Sequence, residues 1–107
     1  MAHSPENSFS LADRLAREVE AHPSVVRLDG RSFVATYLPG RRVEGIRAND
    51  PGEPVDVAVV VRLDRPLPEV IDEVRARVVA VAGDVPVNIA VADAVHVSDL
   101  EPGAGPP

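Results

Sequence analysis

The 107-residue chain contains no cysteine, no tryptophan and no lysine. Without cysteine there is no disulfide framework, no thiolate metal site and no thiol nucleophile, and nothing records a redox compartment. Aromatic residues are almost as scarce, with only Phe9, Phe33 and Tyr37. The core must therefore be built from valine, leucine, isoleucine and alanine, and few platforms exist on which nucleic-acid bases could stack. Every basic side chain is arginine, as GC-rich coding sequences favour, and 17 acidic residues leave a formal net charge of −6. That sign opposes the basic face of a nucleic-acid binder. The longest aliphatic runs, 57–61 and 78–82, fall far short of the roughly 20 residues that span a bilayer. Residues 1–8 are polar and lack the charged-then-apolar layout of a signal peptide. A soluble cytoplasmic protein is expected.

What is present is a strand, a helix and a strand. Val55, Val57, Val59, Val61 and Leu63 recur every second residue, the period of a strand with one buried face. Pro68 opens a helix whose apolar stripe is Val70, Ile71, Val74, Val78 and Val81. Gly83 stands where a left-handed cap would stop it, and after Pro86 the residues Val87, Ile89 and Val91 resume the period of two. These two strands should be parallel, joined by a crossover helix.

Upstream, Ser10 is an N-cap with Asp13 completing a capping box, and Leu11, Leu15 and Val19, helped by Ala12 and Ala16, form a helical stripe. Asp13 with Arg17, and Arg14 with Glu18, have the spacing of ion pairs one turn apart. Pro23 ends this helix near His22. Residues 25–28 read as a short strand, Asp29-Gly30 as a two-residue hairpin turn and 33–38 as the return strand. Pro39-Gly40 marks a second turn, followed by a weaker strand over 43–47 that Gly45 interrupts as a bulge. The expected fold is α+β, in the order α-β-β-β-β-α-β: a two-layer sandwich with a mixed five-stranded sheet and two helices on one face. The expected organisation is a mobile tail over 1–9, a single domain over 10–97 and a disordered, proline- and glycine-rich tail over 98–107.

No catalytic constellation is visible. His3, His22 and His96 are scattered, whereas metal ligands come clustered, so no metal and no cofactor are expected; His22 suits a helix C-terminus. Glu69, Asp72 and Glu73 fall at the start and on the outer face of the second helix, where Asp72–Arg75 and Glu73–Arg77 would pair locally. The candidate interaction surface is Arg41, Arg42, Arg47, Val60 and Val79. The three arginines gather around the Pro39-Gly40 turn, either to dock an acidic partner or anionic headgroups, or to shield an edge hairpin from strand addition. Val60 falls on the sheet face away from the helices and Val79 opposite the helical stripe, so both should meet solvent and could seed a protein contact.

Three segments carry a family likeness. They are Val57-Ala58-Val59-Val60-Val61-Arg62, Pro66-Leu67-Pro68-Glu69-Val70 with Glu73-Val74, and Val87-Asn88-Ile89-Ala90-Val91. In that order they resemble the bacterial alkaline shock protein, or envelope stress response, family, with its hydrophobic strand, Pro-Ile-Pro-Glu-Val-like helix start and closing Val-Asn-Val-x-Val strand. His22-Pro23-Ser24-Val25 and Tyr37-Leu38-Pro39-Gly40-Arg41-Arg42-Val43-Glu44-Gly45-Ile46 are similar to the version found in high-GC Gram-positive bacteria. The likeness covers residues 11–95, with Ser24, Asp64 and Arg75 standing where the family often has glycine, glycine and glutamine. It implies a non-enzymatic, self-associating cytoplasmic protein, peripheral to the inner face of the cell membrane through a small membrane-anchored partner. It brings no catalytic residue. Two other readings compete: a small nucleic-acid-binding α+β module using the Arg41-Arg42 turn, and a small enzyme or ligand carrier based on the scattered carboxylates.

Overall fold

A computed structural model describes residues 10–96. The tails expected over 1–9 and 98–107, and with them His3, lie outside the described residues. The elements run α1 (Leu11–Glu20), β1 (Val25–Leu28), β2 (Ala35–Leu38), β3 (Arg41–Glu44), β4 (Ile46–Arg47), β5 (Val55–Arg62), α2 (Leu67–Ala82) and β6 (Val87–Val95). The fold is α+β.

β5 is the spine. It pairs in parallel with β6 along its whole length, and antiparallel with β1 and β4, which share its other side. Its odd-numbered side chains Val55, Val57, Val59 and Val61 meet Ala12, Leu15 and Val19 of α1 and Val70, Val74 and Val78 of α2 in one buried cluster. Both helices therefore cover the same face, as the period-two and period-3.6 patterns require. At the start of α1 the Ser10 hydroxyl accepts the Asp13 N–H (3.1 Å) while the Asp13 carboxylate accepts the Ser10 N–H (3.0 Å), which completes the capping box. α2 starts one residue before Pro68, which sits in the first turn, where a missing N–H costs no helical bond. Gly83 does stop α2, but with φ 90° and ψ −173° it is extended with positive φ rather than a left-handed cap.

The sheet differs from the single five-stranded one expected. β2 and β3 form their own two-stranded ladder, and β1 does not pair with β2. A tight hairpin at Asp29-Gly30 would need positive φ at both residues, and neither has it. Instead the Asp29 N–H donates to the Ala58 carbonyl (2.8 Å), holding the chain on β5, and the Asp29 carboxylate accepts the Arg31 N–H (3.3 Å) to start a loop. Pro39-Gly40 does make its turn, with φ 77° at Gly40 and Leu38 opposite Arg41.

The strand expected over 43–47 becomes two because Gly45, at φ 80°, passes it from one ladder to the other. The Gly45 N–H donates to the Val34 carbonyl on the hairpin side, and its own carbonyl accepts the Ala58 N–H of β5, both at 2.8 Å. A β-carbon at Gly45 would lie 2.7 Å from the Leu28 β-carbon and 2.9 Å from the Ala58 carbonyl oxygen, so only glycine fits the crossing.

Candidate functional site

The five residues expected to form an interaction surface lie on β3, β4, β5 and α2. Arg41 and Arg42 lie on β3 and Arg47 on β4, and each guanidinium has an acidic partner. Arg41 reaches Asp13 at the start of α1 with two bonds (2.8 and 2.7 Å), Arg42 reaches Glu44 (2.7 Å), and Arg47 reaches Asp56 (3.2 Å) and the Phe33 carbonyl (3.0 Å). The bidentate Arg41 contact holds the Asp13 carboxyl well below the usual carboxylate range. What the sequence displays as a basic patch is, in three dimensions, a set of neutralised pairs.

Val60 and Val79 also depart from expectation. Val60 is 0% exposed. It lies in the central strand, between Arg27 of β1 and Asp93 of β6, so neighbours wall it on both sides. Val79 is half-buried and packs against the core cluster rather than standing free. Alternation identified the face of Val60, but facing away from the helices is not the same as meeting water.

The exposed apolar residues are others. Phe33 is 95% and Tyr37 73% exposed, so two of the chain's three aromatic side chains stand in solvent on the β2–β3 hairpin and the loop leading to it. The signal for Phe33 was available, since it follows Asp29-Gly30-Arg31-Ser32, in which Asp29, Gly30 and Ser32 favour turns and loops. Nearby, Arg47 of β4, Asp56 of β5 and Asn88 of β6 sit side by side across three strands, at the floor of an open cleft of about 270 Å³. The Asp56 carboxylate accepts from Arg47 at one oxygen and from the Asn88 amide (3.0 Å) at the other, so the floor satisfies itself.

The most connected polar cluster lies at the junction of α1, β1 and α2. His22 is buried, 2% exposed. Its Nδ1 accepts the Ser24 N–H (3.0 Å), which places the ring proton on Nε2, where it donates to Glu73 Oε1 (2.7 Å). Arg65 grips both oxygens of Glu73, and this guanidinium, with His22 second, holds the Glu73 carboxyl down to about 2. Ser24 donates to Asp64 (2.8 Å), so the two positions where the resembled family often has glycine are joined by a hydrogen bond. The pairs expected within the helices are mostly replaced by pairs between elements. Asp13 goes to Arg41, Glu18 to Arg77 (3.2 Å) and Glu73 to Arg65 and His22, while Asp72–Arg75 forms as expected (3.4 Å). Every polar group here is engaged in holding elements together, and Ser24, at 1% exposure, is closed to any substrate.

Among the described residues, no group of three or more histidine, aspartate or glutamate side chains is placed to hold a metal ion, and no helix is long and apolar enough to cross a membrane. Comparison with protein-family models, with curated proteins and with solved structures finds no match.

Proposed function

We propose that this chain acts by protein contact, as a non-enzymatic protein of the envelope or alkaline stress type that self-associates or binds a small membrane-anchored partner. Support comes first from the ordered motifs on β5, α2 and β6, which fall on a strand, a helix start and a closing strand as the resemblance implies. The observation that carries the reading is the state of the polar groups. On the hairpin and at the α1–α2 junction Arg41, Arg47, Arg65 and Arg77 pair with carboxylates elsewhere in the fold, while the aromatic side chains of Phe33 and Tyr37 stand exposed. In this reading the protein is cytoplasmic and reaches the inner face of the membrane through its partner.

Two measurements on the full chain test it. Sedimentation reads self-association, and recovery of cross-linked membrane proteins from the native host reads the partner. A chain that stays monomeric at high concentration and recovers no membrane protein contradicts the reading.

The exposed Phe33 and Tyr37 beside arginines favour a second reading, a module that stacks RNA bases. The net charge of −6 and the paired guanidinium groups oppose it. Micromolar RNA binding that weakens steeply with salt would establish it.

A further inference from the structure

We propose that the outer edge of β6 over residues 87–91 is the surface on which a second copy of this chain docks, as an antiparallel strand centred on Ile89. The inference rests on the protein-contact reading above and gives it a surface and an occupant.

The argument begins with which backbone groups of β6 face outward. Val55 lies opposite Val87, and its N–H donates to the Pro86 carbonyl at 2.9 Å. In a parallel ladder the bonding residues alternate along the strand. Asn88 and Ala90 therefore point their N–H and C=O groups at β5, and Val87, Ile89 and Val91 point theirs away. Among the described residues nothing receives them, because β6 has β5 as its one ladder partner.

Two neighbouring stretches of edge carry closing devices. Beyond Val91 the register slips by one residue, since Val59 faces Val91 but Val60 faces Asp93. After this bulge Val95 presents its carbonyl to Leu63 (2.7 Å), so Ala94 is the outward residue. The Ala94 N–H is taken by the adjacent Asp93 carboxylate at 2.8 Å. At β4, Thr36 does the same work: its hydroxyl donates to the Ile46 carbonyl (2.7 Å) and accepts the Ala48 N–H (3.0 Å). A bulge and self-capping side chains are devices that block strand addition, and the segment 87–91 has neither.

The segment also fits itself. In an antiparallel pair about Ile89, Val87 faces Val91 of the second copy, Asn88 faces Ala90, and Ile89 faces Ile89. The residues that meet in hydrogen-bonded pairs are the outward ones, so each N–H finds a carbonyl. No charged side chain lies within the segment, which matters for two copies of an acidic chain. On the helix-covered face Ile89 and Val91 are only partly buried in one copy, and pairing would continue the apolar stripe from one core into the next. Centring the pair on Val91 instead would set Asp93 against Ile89.

The test uses the full chain, whose lack of cysteine makes engineered thiols unique. Asn88→Cys and Ala90→Cys are made separately, then mixed and oxidised. The predicted register gives covalent dimer in the mixture and little from either alone. Sedimentation of Ile89→Pro should show self-association weakened on the order of tenfold or more, with thermal stability largely retained, because edge strands tolerate proline where the N–H faces away. Ala90→Pro removes an inward N–H and should instead lower the melting temperature. A chain that self-associates without cross-linking in the mixture, and is indifferent to Ile89→Pro, overturns the β6 assignment while the contact reading stands. A monomeric chain that still captures a membrane protein overturns the second copy as occupant. A monomeric chain that captures nothing overturns both.

Discussion

Replacing Gly45 with alanine should be among the most damaging small changes to this fold, and Gly40→Ala supplies its control. Both glycines have φ near 80°, at 80° and 77°. An L-residue there costs about 1–2 kcal/mol from its β-carbon against its own backbone. At Gly40 that is the whole cost, because a β-carbon would meet nothing within 4 Å. At Gly45 the same atom would lie 2.7 Å from the Leu28 β-carbon and 2.9 Å from the Ala58 carbonyl oxygen, neither of which can swing away. Relieving the overlap means separating β1 or β5 from the crossing and stretching the 2.8 Å bond from Ala58 to Gly45. Adding about 1–3 kcal/mol for such overpacking puts Gly45→Ala at about 2–5 kcal/mol. With a shift of about 4–8 °C per kcal/mol for a domain of this size, the melting temperature should fall by roughly 8–40 °C, against roughly 4–16 °C for Gly40→Ala. Circular dichroism during thermal and urea unfolding reads both variants. Equal losses would refute the claim that Gly45 is where β3 passes into β4 against the main sheet.

Three further outcomes follow from the polar groups. His22→Ala leaves the Ser24 N–H buried without its acceptor and removes the bond to Glu73, so urea unfolding should show a loss of about 2–4 kcal/mol at unchanged slope. Thr36→Val keeps the shape of the side chain but orphans the Ile46 carbonyl and the Ala48 N–H. It should cost about 2–4 kcal/mol, with Thr36→Ser retaining most of the stability. Glu73, held down to about 2 from an ordinary 4.5, stabilises the fold fully above its unfolded value and loses that contribution as pH falls towards 2. The melting temperature should therefore drop between pH 5 and 2 (Asp13 acting in the same direction), and Glu73→Gln should flatten part of that drop.

The parts of the fold legible in the sequence were those written by local chemistry. The β5–α2–β6 unit follows from periods of two and 3.6, the start of α1 from a capping box, and the β2–β3 hairpin from Pro39-Gly40. Partners chosen across long separations were not legible. Asp29-Gly30 is a strong local turn signal, yet the Ala58 carbonyl outbids it from 29 positions away in sequence by accepting the Asp29 N–H. The ion pairs within α1 and the Glu73–Arg77 pair were reasonable by spacing, but Arg41, Arg77, Arg65 and His22 arrive from other elements with better geometry. Within the candidate surface, the burial of Val60 and the pairing of Arg41 with Asp13, 28 positions away in sequence, were likewise set by distant parts of the chain. The edge of β6, open among the described residues, could not be seen before its register was known, since outward and inward backbone groups differ only by which residues of β5 they oppose.

The most direct measurement is the mass of the full-length chain in solution across a wide concentration range, by sedimentation equilibrium. A molecule whose task is to touch others of its kind should pass reversibly from one copy to two or more as concentration rises. A single copy at every concentration, coupled with no recoverable membrane partner, would contradict that account.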